Sequence, residues 1–235
     1  MENTANKNRT VEIFAGAYTS GKSEISINRA LMINNGELPV TLVDLDTVEP
    51  AYTLRPLKKS LEEEFGIRII TQESYFGLGE TGNVITPAQK NCLEIYPNDN
   101  IVIDVGYGAG GLDILNLVTG ISDEENLNIY IVINASKHET STIENIVEYV
   151  KWSEGSNPQD WKKFNGIISN THFGDETQAE DVLRGYEITR NAAEILNIPI
   201  RAVCAAENVY PGLESLVEKG ISVWPLKRFM PKALW

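Results

Sequence analysis

An apolar run, Val11-Glu-Ile-Phe-Ala15, gives way to Gly16-Ala17-Tyr18-Thr19-Ser20-Gly21-Lys22-Ser23, and a helical pattern follows directly. The spacing G-x-x-x-x-G-K-S constrains the fold more than any other feature of the chain, because it belongs to a strand, a tight loop and a helix in that order. Glycines let the backbone wind closely around phosphate groups with its N–H groups pointing inward, and Lys22 supplies a point charge toward the β- and γ-phosphates. The Ser23 hydroxyl would ligate Mg2+, and the helix N-terminus adds partial positive charge to the anion site. Residues Gly16 to Glu24 are therefore the candidate nucleotide-binding segment. The pattern names a ligand, a nucleoside triphosphate with Mg2+, but not a reaction.

Apolar segments alternate with helical ones along most of the rest. Strands are expected at 10–15, 39–45, 67–71, 101–105, 129–134, 165–169 and 199–204, with helices near 22–34, 55–64, 110–118, 141–153 and 177–196. Ile143, Ile146, Val147 and Val150 form the i, i+3, i+4, i+7 stripe of a helix laid on a sheet. Thr177 with Glu180 reads as a capping box. Runs such as Tyr130-Ile-Val-Ile133 are continuously apolar, as strands are when helices cover both faces of a parallel sheet. The expected fold is α/β, a three-layer sandwich around a mostly parallel central sheet. Residues 1–9 read as a polar tail and 10–235 as a single domain. The stretch 72–100, rich in glycine and polar residues with a helix start at Thr86-Pro87, reads as a lid, a partner-binding insertion or a plain surface loop.

The 33 acidic residues outnumber the 20 basic ones, and the net charge of −13 repels nucleic acid and anionic membrane alike. Neither nucleic-acid binding nor stable membrane association is expected. The C-terminal Lys227-Arg228-Phe-Met-Pro-Lys232-Ala-Leu-Trp235 is basic and aromatic, and is expected to fold back on the domain, since Trp and Phe bury large apolar areas. Cys92 and Cys204 stand far apart without a C-x-x-C, so neither a disulfide framework nor a thiolate metal site is indicated, and a cytoplasmic location fits.

Two acidic constellations accompany the loop. Asp44 and Asp46, at i and i+2 in Val43-Asp-Leu-Asp-Thr-Val-Glu-Pro50, point the same way from an extended backbone, toward a Mg2+-nucleotide site or into a simple acidic turn. Asp104 ends the apolar Ile101-Val-Ile103 and suits a second Mg2+ anchor acting through water. Glycines follow it at 106, 108, 110 and 111, in a loop able to change shape with the γ-phosphate. Arg55 reads best as an exposed helix-start arginine, and His138 and His172 each follow a strand without a paired metal ligand.

This order of motifs resembles the MinD/ParA/CobQ/CobB nucleotide-binding domains of the SIMIBI class over roughly residues 10–205. It is most similar to the poorly characterised bacterial ATP-binding members that carry G-S-G-K-[ST]-E and V-D-L-D-x-V-x-P. The resemblance implies Lys22 and the loop amides on phosphate, Ser23 and Asp104 around Mg2+, Asp46 orienting the attacking water, and Asp44 supporting loop and metal. It implies Asn170 reading the base. The guanine-reading N-K-x-D of related GTPases is absent, since Asn170 is followed by Thr171-His-Phe173, so ATP is favoured over GTP. MinD and ParA carry an extra lysine after the first glycine that reaches across a homodimer, where this chain has Ala17. Three functions fit: an ATPase acting on an unidentified protein client, an ATP-dependent ligase or kinase with a small-molecule substrate, and a nucleotide-sensing scaffold or cofactor-insertion partner with little turnover.

Overall fold

The computed structural model describes residues 9–46, 54–72, 85–107, 111–157 and 160–230. Most of the N-terminal tail, Thr47 to Pro50, most of the first half of the 72–100 stretch, Gly108, Gly110 and residues 231–235 lie outside the described residues. The chain divides into two compact units. One holds residues up to Ala15 and Ser26–Asn128; the other holds Gly16–Ile25 and the chain from Ile129 on.

In the first unit, β1 (Val11–Gly16), β2 (Val40–Leu45), β3 (Arg68–Ile70) and β4 (Asn100–Val105) run parallel in the order β3-β2-β4-β1. Every residue of β1, β2 and β4 is buried, which is why these strands read as unbroken apolar runs and not as alternating ones. The polar exceptions are paired. Glu12 in β1 takes a two-point ion pair from Arg29 of α1 (Lys22–Ile33), at 2.7 and 2.8 Å. Thr41 of β2 donates to Asp99 at 2.6 Å, and Arg68 of β3 binds the same carboxylate.

Helix α2 (Lys58–Phe65) follows a 3-10 turn over Arg55–Leu57 and stops at Gly66, whose φ of 68° closes it. The helix start expected at Thr86-Pro87 is present: Thr86 caps α3 (Pro87–Lys90), and its side chain and that of Gln89 satisfy each other's backbone N–H groups. A second short helix, α4 (Cys92–Ile95), follows. The helix expected at 110–118 is instead a 3-10 turn over Asp113–Leu117. It lies between glycines at 110–111 and Gly120, and its bonds close over three residues, Leu115 N–H to the Leu112 carbonyl and Val118 N–H to the Leu115 carbonyl.

In the second unit, β5 (Leu127–Ile133), β6 (Gly166–Ser169), β7 (Ile200–Ala206) and β8 (Val223–Leu226) run parallel in that order. In α5 (Ile143–Ser153) the expected stripe turns inward, with Ile146 and Val150 fully buried. The last long helix, α6 (Ala179–Leu196), begins one residue later than a Thr177 cap implies. The Thr177 hydroxyl instead closes the preceding turn, accepting from Phe173 N–H at 2.9 Å and donating to the Gly174 carbonyl at 2.6 Å, while Asp181 accepts the N–H of Gln178. The sequence reading omitted α7 (Glu214–Glu218) and β8. Strand β8 ends this unit's strand order and carries Pro225, a residue tolerated only where a strand's N–H need not join a ladder. The fold is α/β with eight strands whose described pairings within each unit are parallel, as expected and more uniformly so.

Candidate functional site

The loop from Gly16 to Gly21 leaves the end of β1 and enters α1 within the second unit. Two of its glycines are required by close approach. A Cβ on Gly16 would lie 2.5 Å from Ser20 Oγ and 2.8 Å from the Val132 carbonyl oxygen, and one on Gly21 would lie 2.4 Å from Asn170 Nδ2. Gly21 also has φ of 87°, and Thr19 adopts a left-handed φ of 59°, uncommon outside glycine, asparagine and aspartate. These turn the loop back so that Ser20 N–H reaches the Ala17 carbonyl and Ile25 N–H reaches that of Gly21. Lys22 is 7% exposed, Ala17 is buried and Tyr18 is open to solvent.

The loop is braced from β6. Asn170, buried just past that strand, donates from Nδ2 to the Ser20 carbonyl at 2.8 Å, spanning 150 residues of sequence. Two residues on, His172 Nδ1 accepts from Gly174 N–H, which leaves the proton on Nε2. That Nε2 is buried and faces Gly21 and the Ser20 backbone. Burial, reinforced by the charges of Lys137 and Arg228, lowers the His172 pKa to about 4, so the ring is neutral near pH 7. Asn134, buried at the end of β5, holds the segment in place, its Oδ1 accepting the N–H of His172 at 3.2 Å and of Ser136 at 3.0 Å. Ser20 Oγ is buried with no partner among the described residues. A glycine cradle with the unsatisfied Ser20 hydroxyl in its wall fits an anionic ligand.

Asp44, Asp46 and Asp104 lie in the first unit. Asp44 and Asp104 are direct register partners on neighbouring parallel strands and are almost wholly buried. Asp44 Oδ1 accepts the N–H of Asp46 at 2.9 Å, and Asp46 Oδ1 would stand 3.6 Å from a Cβ on Gly106, so Asp46 faces the loop after β4. Ser26 of α1 lies 3.5 Å from Asp104. Burial first, then the negative charges of Asp104 and Asp46, push the Asp44 carboxyl well above the usual range, against the opposing charge of Arg55.

Arg55 corrects the sequence reading. It is 7% exposed and not a surface arginine: its Nη2 donates to the Asp46 carbonyl at 2.8 Å and its Nε lies 3.7 Å from Asp44 Oδ2. Gln89 was not foreseen; its amide donates to the Asp44 carbonyl. The second half of the 72–100 stretch is thereby fixed to the acidic strand end. No group of three or more His, Cys, Asp or Glu side chains among the described residues could hold a metal unaided. His138 is exposed on a 3-10 turn. Cys92 and Cys204 are buried free thiols, and burial pushes the former up to about 11 and the latter higher still.

A narrow cleft of about 50 Å³ opens beside the loop within the second unit, between Gly21, Asn170 and His172 and the ends of β7 and β8 at Cys204 to Ala206 and Leu226. Glu24 and Arg228 complete its lining.

No protein-family model and no curated protein matches the chain. Solved structures do. The signal recognition particle receptor FtsY from Elizabethkingia anophelis in complex with GDP aligns with a TM-score of 0.60 and 15% identity, over 86% of this chain and 58% of the receptor. The cell division protein FtsY of Thermotoga maritima aligns over 98% of this chain and 69% of that one, with a TM-score of 0.58 and 17% identity. Chloroplast FtsY from Physcomitrella patens aligns likewise, at 13% identity, a TM-score of 0.58 and 65% of its length. The chain shares its fold with FtsY. At such identities the likeness concerns the fold alone, and the chain spans about three fifths of the first receptors it matches. Among the described residues no helix is long and apolar enough to cross a membrane.

Proposed function

We propose that the chain is a Mg2+-dependent ATPase of the MinD/ParA/CobQ-like kind, whose hydrolysis drives a conformational cycle on a protein client. The observation that carries this reading is the Gly16–Gly21 cradle, closed to any added Cβ and braced by Asn170. In this reading the loop amides and Lys22 bind the phosphates and stabilise charge on the transferring group. Asp46, facing Gly106, orients the attacking water. Ser23, Asp44 and Asp104 hold Mg2+, in part through water, and the ion would supply charge neutralisation on the phosphates.

Adenine is favoured because Phe173, 48% exposed, stands where a guanine-reading acid would be. With Nδ2 on the Ser20 carbonyl, Asn170 keeps Oδ1 for a base amino group. The GDP-bound FtsY neighbour favours a guanine nucleotide instead. Thermal shift with ATP, ADP, GTP and GDP in Mg2+ separates the two, and ATP and ADP are expected to stabilise most. Stabilisation by GTP far above ATP overturns the adenine reading. Turnover is expected to fall at least about a hundredfold in Asp46→Ala with nucleotide binding retained, the range a positioned catalytic group contributes being about 10²–10⁴. Undiminished hydrolysis in that variant removes Asp46 from the mechanism.

A further inference from the structure

The polypeptide that leaves β8 does not stop at the sheet. Residues 227–230 turn onto the first turn of α1, where the Glu24 carboxylate accepts the N–H of Phe229 at 3.0 Å and of Met230 at 2.6 Å. Arg228 pairs with Asp175, and Lys227 Nζ lies 5.3 Å from the Phe229 ring centroid. The contacts with Glu24 and Asp175 hold this segment as one wall of the cleft, through Leu226, Lys227 and Arg228. The cleft's floor at Cys204 to Ala206 is small and apolar, a lining against which the edge of a base can rest. Glu24 stands two residues after Lys22, so one helical turn carries both the phosphate-binding lysine and the clasp of the C-terminal segment.

We infer that residues 226–230, clasped by Glu24, form a strap that completes the binding site for the nucleoside half of the nucleotide. This rests on the nucleotide reading above and adds a division of labour to it. The loop grips phosphate. The strap and the ends of β6 and β7 flank the nucleoside, with Leu226 and Ala205 giving apolar contact and Asn170 the polar one. Glu24 is then a positioning residue for the strap. Its contacts are charge-assisted hydrogen bonds to two backbone N–H groups, the stronger kind, and a negative charge in a first helical turn is favoured by the helix dipole.

The test compares ADP with pyrophosphate, ligands with the same number of phosphates and differing in the nucleoside, by calorimetry in Mg2+. Wild type is expected to prefer ADP, and Glu24→Ala to lose about tenfold of that preference, the effect of roughly 1.4 kcal/mol of hydrogen bonding. Amide exchange in wild type gives a second readout that needs no variant: residues 227–230 should exchange more slowly with ADP than with pyrophosphate. Equal preference in Glu24→Ala and wild type, or exchange in the strap that ADP does not slow, overturns the inference while leaving the phosphate loop intact. If wild type binds neither ligand, the nucleotide reading falls and the strap with it.

Discussion

The two units handle charge in opposite ways. Around the loop, Asn170, His172, Ser20 and the glycines are neutral, and a buried cation, Lys22, stands at the start of α1. At the ends of β2 and β4, three buried carboxylates lie together, with Arg55 close to Asp44. The loop is shaped by what cannot fit, with Cβ atoms excluded at Gly16 and Gly21. The acidic end is shaped by what must be balanced, since buried like charges repel and desolvation disfavours each of them. A neutral cradle can lose its lysine and still fold. A buried acidic cluster cannot lose its arginine as cheaply.

That contrast is broken or sharpened by two substitutions. Arg55→Ala should lower stability by about 3–5 kcal/mol, the range for removing one partner of a buried ion pair, read by urea denaturation. Stability within 1 kcal/mol of wild type would mean that Asp44 is neutral without Arg55 and that the acidic end needs no counter-charge. Lys22→Ala should leave the denaturation midpoint near that of wild type and weaken ADP binding by about a hundredfold, some 3 kcal/mol, the upper range for a hydrogen bond to a charged group. Unchanged affinity would remove the loop from the nucleotide site.

A third prediction concerns the neutrality of the loop's brace. The His172 pKa of about 4 lies below the 6.5 of an exposed imidazole, so between these values the unfolded chain binds more protons than the folded one. The contribution of His172 to stability is therefore full above pH 6.5 and declines as pH falls toward 4. The total is about 3 kcal/mol, at 1.36 kcal/mol per unit. Carboxylates titrate in the same window, so the measurement is a difference: the drop in stability from pH 7 to pH 4.5 should be smaller in His172→Gln than in wild type. Equal drops would place the imidazole in contact with water.

The same two regions differ in how much of them could be read from sequence. The loop was legible because phosphate binding fixes residue types at fixed local spacing, and the strands because burial on both faces leaves apolar runs such as Ile101 to Ile103. The acidic end was half legible. Asp44 and Asp104 close strands, but nothing in the pattern Thr-Leu-Arg-Pro-Leu brings Arg55 inward, and Gln89 meets Asp44 across 45 residues. Asn170 illustrates the same limit, since its position after a strand suggested a site residue but its contact with Ser20 is a product of the fold. Strand β8 escaped because four residues with a proline at their centre carry little periodic signal.

The smallest effect expected lies one step behind the loop. Gly185, in the second turn of α6, sits where a Cβ would come within 1.9 Å of Thr171 Oγ1 and 2.3 Å of its Cβ. Thr171 cannot swing away freely, because its hydroxyl accepts the N–H of Ala135 at 3.2 Å and its backbone joins Asn170 to His172. Gly185→Ala therefore sets two terms against each other. Alanine gains up to about 1 kcal/mol of helix propensity over glycine, while overpacking a filled interior costs about 1–3 kcal/mol. The clash is with a tethered side chain, so the second term should win and leave a net loss near 1 kcal/mol. Relief of the clash moves Thr171 and with it Asn170, so ADP affinity should fall a few-fold alongside stability. A variant that gains stability by the full propensity term, with unchanged affinity, would mean that α6 shifts away as a body and that the brace on the loop does not depend on the helix behind it.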